Sequence, residues 1–159
     1  MYQKILVPLD GSELAECVLP HVEAIASGCR AGNILLARVV EPFELPATLE
    51  YDTYSRKDLV EEWQKAELEQ RSAAEDYLNR LANQMRKEGR DVQSQVIVGR
   101  VAESLADFAT ENGVDLIIIA THGRSGIGRW VWGSTADRLL RSSCVPILMV
   151  RAPGCISGI

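Results

Sequence analysis

The sequence predicts a single α/β domain of the doubly wound, Rossmann-like kind, a parallel sheet with helices on both faces. Three observations carry that prediction. Apolar strand-like runs alternate with helical stretches along the chain, which implies parallel pairing through right-handed crossovers. The strand-like runs are apolar almost throughout, the pattern of strands covered on both sides. At 159 residues and 47% hydrophobic content, the chain can fill one core.

Residues 4–9, Lys-Ile-Leu-Val-Pro-Leu, form the first strand, and Pro8 marks its end. Asp10-Gly11-Ser12 make a turn, with Ser12 a candidate helix N-cap. Leu14, Cys17, Val18, Val22 and Ile25 recur at helical spacing, and Gly28 and Gly32 are expected to close that helix and the following turn. Residues 34–40 make a second apolar strand, ended by Glu41-Pro42. Residues 42–57 lack periodicity and read as a long loop.

From about residue 58 to residue 88 the pattern is helical, with Leu68, Ala74, Leu78, Leu81 and Met85 as the expected buried stripe. Glu61-Lys65 and Glu67-Arg71 have the spacing of supporting ion pairs on its solvated face. Gly89 stops it. Residues 92–98 form a third, partly alternating strand. A helix over residues 101–112 turns Leu105, Phe108 and Ala109 inward and stops at Asn112-Gly113. Residues 116–120 are a fourth strand with no polar residue. A short helix carrying Ala136, Leu139 and Leu140 leads to a fifth strand, Val145 to Val150. The domain is expected over 1–151, with a frayed tail over 152–159.

Composition narrows the function. The net charge of −5 disfavours non-specific nucleic-acid binding through phosphate attraction. No run reaches the roughly 18 apolar residues of a membrane span. Met1 to Lys4 lead straight into the first strand, so no signal peptide is expected. Cys17, Cys29, Cys144 and Cys155 form no CxxC pair, and with His21 and His122 they make no metal set. Free thiols and a cytoplasmic location follow, with Cys17 and Cys144 expected in the core.

In open α/β sheets, ligands bind outside the carboxyl ends of the strands where the winding reverses. Those ends, on the first and fourth strands, carry Pro8-Leu9-Asp10 and Ala120-Thr121-His122-Gly123. The segment from Ala120 to Thr135 is rich in glycine, with Gly123, Gly126, Gly128 and Gly133, and runs into a helix at Ser134. Glycines let backbone amides approach phosphate oxygens, and a helix N-terminus adds unpaired amides and a favourable dipole. Ser134 and Thr135 add hydroxyl donors. From Thr121 to Arg151 the bases are Arg124, Arg129, Arg138, Arg141 and Arg151, against the single acid Asp137. The segment contains no Gly-Lys-Ser/Thr of a Walker loop.

The opening Lys4 to Ser12, the run Asp115 to Gly126, Gly133-Ser134 and the closing Val145 to Val150 together resemble the universal stress proteins, over nearly the whole chain. The nucleotide-binding branch of that family carries G-x2-G-x9-G-[ST]. Gly123, the nine residues after it and Gly133-Ser134 fit, while Ala120 stands in place of the first glycine. The resemblance implies a HUP-type fold with a five-stranded sheet of order 3-2-1-4-5. It implies that Asp10 contacts the ribose or adenine side, with Pro8 and Leu9 lining the same turn. The backbone at Val39 would meet adenine, and Gly123, Gly133, Ser134 and Thr135 would contact phosphates. The ligand would be ATP, or alternatively ADP or AMP, with Mg²⁺ on the phosphates. A homodimer would form through Val145–Val150.

Simpler roles stand beside these. Asp10 can order its turn, and Ser134 with Asp137 can form a capping box. His122 reads as a turn residue, His21 as structural or exposed, and Trp130 and Trp132 as packing beneath the loop or in a dimer contact. Three functions remain: a nucleotide-binding regulatory protein of the stress response, a dimeric scaffold that binds no nucleotide, and a weak ATPase or phosphotransferase. No nucleophile is paired with an evident base, so no catalytic residue is assigned.

Overall fold

The computed structural model describes residues 2–42, 53–87, 89–121 and 134–151, with backbone alone for 53–58 and 134. Its elements run β1 (Lys4–Pro8), α1 (Glu13–Glu16), α2 (Leu19–Cys29), β2 (Asn33–Val40), α3 (Thr53–Lys87), β3 (Val92–Val98), α4 (Val101–Glu111), β4 (Leu116–Ala120), α5 (Ser134–Ser142) and β5 (Ile147–Val150). The five strands pair in parallel in the order β3-β2-β1-β4-β5. The expected fold class and strand order both hold.

Strand alternation divides the core into two layers. Ile5, Val7, Ile34, Leu36, Leu116 and Ile118 face α1, α2 and α3. Leu6, Leu35, Ala37, Ile117 and Ile119 face α4 and α5, where they meet Leu105, Ala109 and Leu139. Each strand therefore buries both of its faces, which is why the runs are continuously apolar. The edge strands β3 and β5 are the exceptions: in β3 Val92 and Val96 are buried while Gln93 and Gln95 are not, and in β5 only Val150 is buried.

Several expectations are corrected. The first helix is two helices, because Pro20 has no N–H to continue the ladder from Glu16 and instead sits in the first turn of α2. Gly28 lies inside α2; the left-handed residue that ends it is Arg30, at φ 55°. α3 begins at Thr53, within the stretch expected to be loop, while residues 43–52 lie outside the described residues. Ala74, Leu78, Leu81 and Met85 are buried as expected, but Leu68 is 67% exposed. A 35-residue helix is roughly 50 Å long, about twice the length of the strands it covers, so its N-terminal half outruns the sheet. Cys17 is half-buried and Cys144 exposed, and Leu140 is also exposed. Arg71 pairs with Glu75, at 3.1 Å. β5 starts at Ile147, the Pro146 carbonyl having accepted the Ile117 N–H at 2.9 Å. Residues 152–159 lie outside the described residues.

Asp115 fixes the start of the central pair. Its carboxylate accepts the Gln3 N–H at 2.7 Å and the Lys4 N–H at 3.1 Å. At the other end β1 and β4 separate. Their ladder holds only Ile5↔Leu116 and Leu6↔Ile117, whereas β1 and β2 stay paired through Pro8↔Ala37. Leu9 donates to the Ala37 carbonyl at 2.8 Å, so alternation turns the Pro8 nitrogen towards β4, where proline has no hydrogen to give. The winding reverses between these two strands, which makes their carboxyl ends the crevice position at which open α/β sheets take ligands.

Candidate functional site

Asp10 leaves β1 at the rim of this crevice. Its Oδ1 accepts the Ser12 N–H at 2.9 Å and the Ser12 hydroxyl at 2.6 Å. The Ser12 oxygen in turn accepts the Ala15 N–H at 3.2 Å, which makes Ser12 the N-cap of α1. The structural reading of Asp10 is therefore realised: one carboxylate oxygen orders the turn. The same turn holds the carboxylate at the carboxyl end of the sheet. Pro8 and Leu9 behind it are buried.

Across the crevice, Ala120 ends β4, and the Thr121 N–H donates to the Val150 carbonyl at 2.8 Å. Ala120 is 8% exposed and packs in the layer shared with Leu9 and Ala15. Its methyl group points to the α1–α3 face, away from α4 and α5. Val39, in register with Ile97, turns its side chain to the opposite, α4–α5 layer.

On that α4–α5 side lies a cleft of about 270 Å³, lined by Glu41, Arg100, Val101, Ala102, Thr135 and Arg138. Glu41 follows Val39 by two residues, and Thr135 is in the first turn of α5. Of the residues expected to meet a nucleotide, Thr135 lines this cleft and Val39 does not. The cleft is at the small end of ligand pockets, large enough for part of a nucleotide. Its charged lining is two guanidiniums and one carboxylate, which suits an anionic ligand with hydroxyl or amine donors.

The other cations differ in their engagement. Arg141 donates from Nε to Asp137 Oδ2 at 3.1 Å, and this hydrogen bond holds its pKa above the ordinary arginine value. Asp137 is thus committed to an i,i+4 pair; the Ser134 side chain of the expected capping box lies outside the described residues. Arg138 Nη1 stands 3.9 Å from Glu103 Oε1. Gly123, Gly126, Gly128, Gly133, His122, Arg124, Arg129, Trp130 and Trp132 also lie outside the described residues.

Sequence reasoning missed Arg38, Glu41, Arg100 and Tyr77. Arg38 left a signal, being the one charge inside the apolar run from Ile34 to Val40. Its guanidinium lies beside Gly11, whose φ of 86° is left-handed, and over the ring of Tyr77. Arg80 lies 5.6 Å from the same ring centroid. Tyr77 also left a signal: it stands three residues after Ala74 and four before Leu81, at the edge of the buried stripe of α3.

A five-stranded parallel sheet in the order β3-β2-β1-β4-β5 with helices on both faces defines a Rossmann-like α/β domain. The chain belongs to the universal stress protein family, whose model matches residues 1–151. It is similar to universal stress protein MJ0577 of Methanocaldococcus jannaschii, 29% identical over 157 residues, covering 95% of this chain and 96% of that protein. The solved structure of MJ0577 superposes with a TM-score of 0.81 at 25% identity, over 97% of this chain and 99% of that one. A universal stress protein in complex with cAMP has a TM-score of 0.62 at 20% identity, covering 94% and 97%. An Arabidopsis thaliana family member with AMP bound has 0.62 at 12%, covering 96% and 93%. At those last identities the likeness speaks for the fold.

Proposed function

We propose that this chain binds an adenine nucleotide across the β1–β4 crevice and acts as a nucleotide-dependent regulatory protein of the stress response. The observation that carries the reading is the switch point itself, with Asp10 and Ala120 at the ends of the two diverging strands β1 and β4; a cleft from Glu41 to Thr135 lies on the α4–α5 side of the same sheet. Family members with cAMP and AMP bound add support. In this reading Pro8, Leu9, Asp10 and Val39 hold the nucleoside. Ala120 lies beside the nucleotide, and Gly123, Gly133, Ser134 and Thr135 hold the phosphates of ATP, or of ADP or AMP. Mg²⁺ rides on those phosphates; among the described residues no group of three His, Cys, Asp or Glu side chains is placed to hold it.

The protein works in the cytoplasm as a homodimer and is at most a slow ATPase. Among the described residues no helix is long and apolar enough to cross a membrane. The dimer forms through the edge segment Val145–Val150, where Leu148 of β5 is 36% exposed. The deciding experiment is mass spectrometry of small molecules released from the purified protein, followed by thermal melts with ATP and Mg²⁺. Copurified adenine nucleotide and a raised Tm, both reduced in Asp10→Ala, are expected. A wild-type protein whose Tm does not move at millimolar ATP overturns the reading.

A further inference from the structure

We infer that Arg138 is a side chain that recognises the phosphate chain of the ligand, and that Glu103 competes with the ligand for it. The inference rests on the nucleotide reading above. Of the described arginines near the crevice, Arg141 is engaged by Asp137 at 3.1 Å, and Arg38 lies on the opposite face beside Gly11. Arg100 lines the cleft beside Glu41. Arg138 lines the same cleft one helical turn after Thr135, so the hydroxyl and the guanidinium share one face of α5.

Its pairing is loose. Arg138 Nη1 and Glu103 Oε1 are 3.9 Å apart, and the two side chains are 68% and 47% exposed. A long, solvated ion pair of this kind is worth little. A phosphate group offers more negative charge and more acceptor oxygens, and the planar guanidinium can bind two of them at once. Exchange of Glu103 for phosphate is therefore downhill, and the gain grows with the number of phosphates. Glu103, reaching from α4 to α5, holds Arg138 at the cleft while no anion is present. It then has to be displaced.

The test measures binding of ATP, AMP and inorganic tripolyphosphate by calorimetry to the full-length wild type and to Arg138→Gln, Arg138→Lys, Glu103→Gln and Arg141→Gln. Arg138→Gln is expected to weaken ATP and tripolyphosphate about tenfold and AMP much less. Arg138→Lys, keeping the charge without the fork, falls between. Glu103→Gln is expected to tighten ATP about two- to threefold, the gain from removing a weak competitor. Arg141→Gln leaves all three unchanged. An unaltered ATP-to-AMP ratio in Arg138→Gln, or weaker ATP binding in Glu103→Gln, overturns the inference. Arg138-dependent tripolyphosphate binding without adenine-nucleotide binding supports the anion site and removes the nucleotide reading. A wild type that binds none of the three overturns both.

Discussion

The guanidinium of Arg38 lies over the ring of Tyr77, with Cζ 5.6 Å from the ring centroid, and fills the space beside Gly11. Three elements meet at this contact: the C-terminal half of β2, the C-terminal half of α3 and the turn that carries Asp10. The geometry of the crevice rim thus depends on a helix that contributes no residue to the cleft itself.

Tyr77 reports on this junction through pH. Its hydroxyl is shielded from solvent without a hydrogen-bond partner. Burial chiefly raises its pKa above the ordinary tyrosine value, helped by the Glu16 carboxylate, which lies close without reaching hydrogen-bonding geometry, and by Asp10; Arg38 opposes them. A raised folded-state pKa contributes stability that is complete below the unfolded value and is lost as pH climbs from there towards the folded value. Tyr77→Phe is expected to be neutral at pH 7 or to stabilise by up to about 1 kcal/mol, since no hydrogen bond is broken. Urea unfolding at about pH 9 and about pH 11 should show the wild type losing more stability than the variant across the ordinary tyrosine range. Equal losses contradict the assignment.

Gly11→Ala strains the Asp10 turn. The residue sits at φ 86°, and an added Cβ would stand 2.8 Å from Arg38 Nη1. Arg38 can swing aside, at the cost of its place over Tyr77, but the backbone strain remains. A loss of about 1–2 kcal/mol in urea unfolding is expected. Arg38→Ala in the same chain should recover only the steric part.

Gly99 meets a similar limit where β3 turns into α4. Its φ is 151°, its N–H donates to the Val40 carbonyl at 3.1 Å, and the Ser104 hydroxyl occupies the space a Cβ would take. Gly99→Ala is expected to destabilise by about 1–3 kcal/mol. Adding Ser104→Ala should return part of that in the same denaturation assay. Full recovery would mean that backbone conformation plays no part.

Ala120→Gly separates the motif from the site. The Ala120 methyl packs in the α1–α3 layer, away from the cleft side of the sheet. Restoring the family's glycine should therefore leave ATP affinity within about twofold and cost about 1 kcal/mol of stability, from one lost buried methyl and a looser strand. Calorimetry and urea unfolding measure the two. A large gain in affinity would show that the methyl does obstruct the ligand.

Much of the fold was legible because its determinants are local. Continuous apolar runs identify doubly covered strands, and Gly89 and Asn112-Gly113 stop helices through backbone conformation alone; both glycines have positive φ. Pro8 could be read as a strand end for the same reason. Leu68 and Leu140 could not be placed, because a helical pattern gives a face but not the length over which a sheet covers it. The break at Pro20 is readable in principle, because the proline lies within the periodic run and has no N–H for the helical ladder.

By itself, the sequence determined the element order, the parallel sheet, the switch-point segments Pro8–Asp10 and Ala120–Thr121, and the family. Hydrophobic period, turn residues and motif spacing are properties of neighbours along the chain. Only the tertiary structure decided which way the Ala120 methyl points, that Arg38 meets Tyr77, and that Arg138 pairs with Glu103 while lining a cleft with Thr135. These depend on strand register and helix packing, which bring distant residues within a few ångströms and leave no period in the sequence.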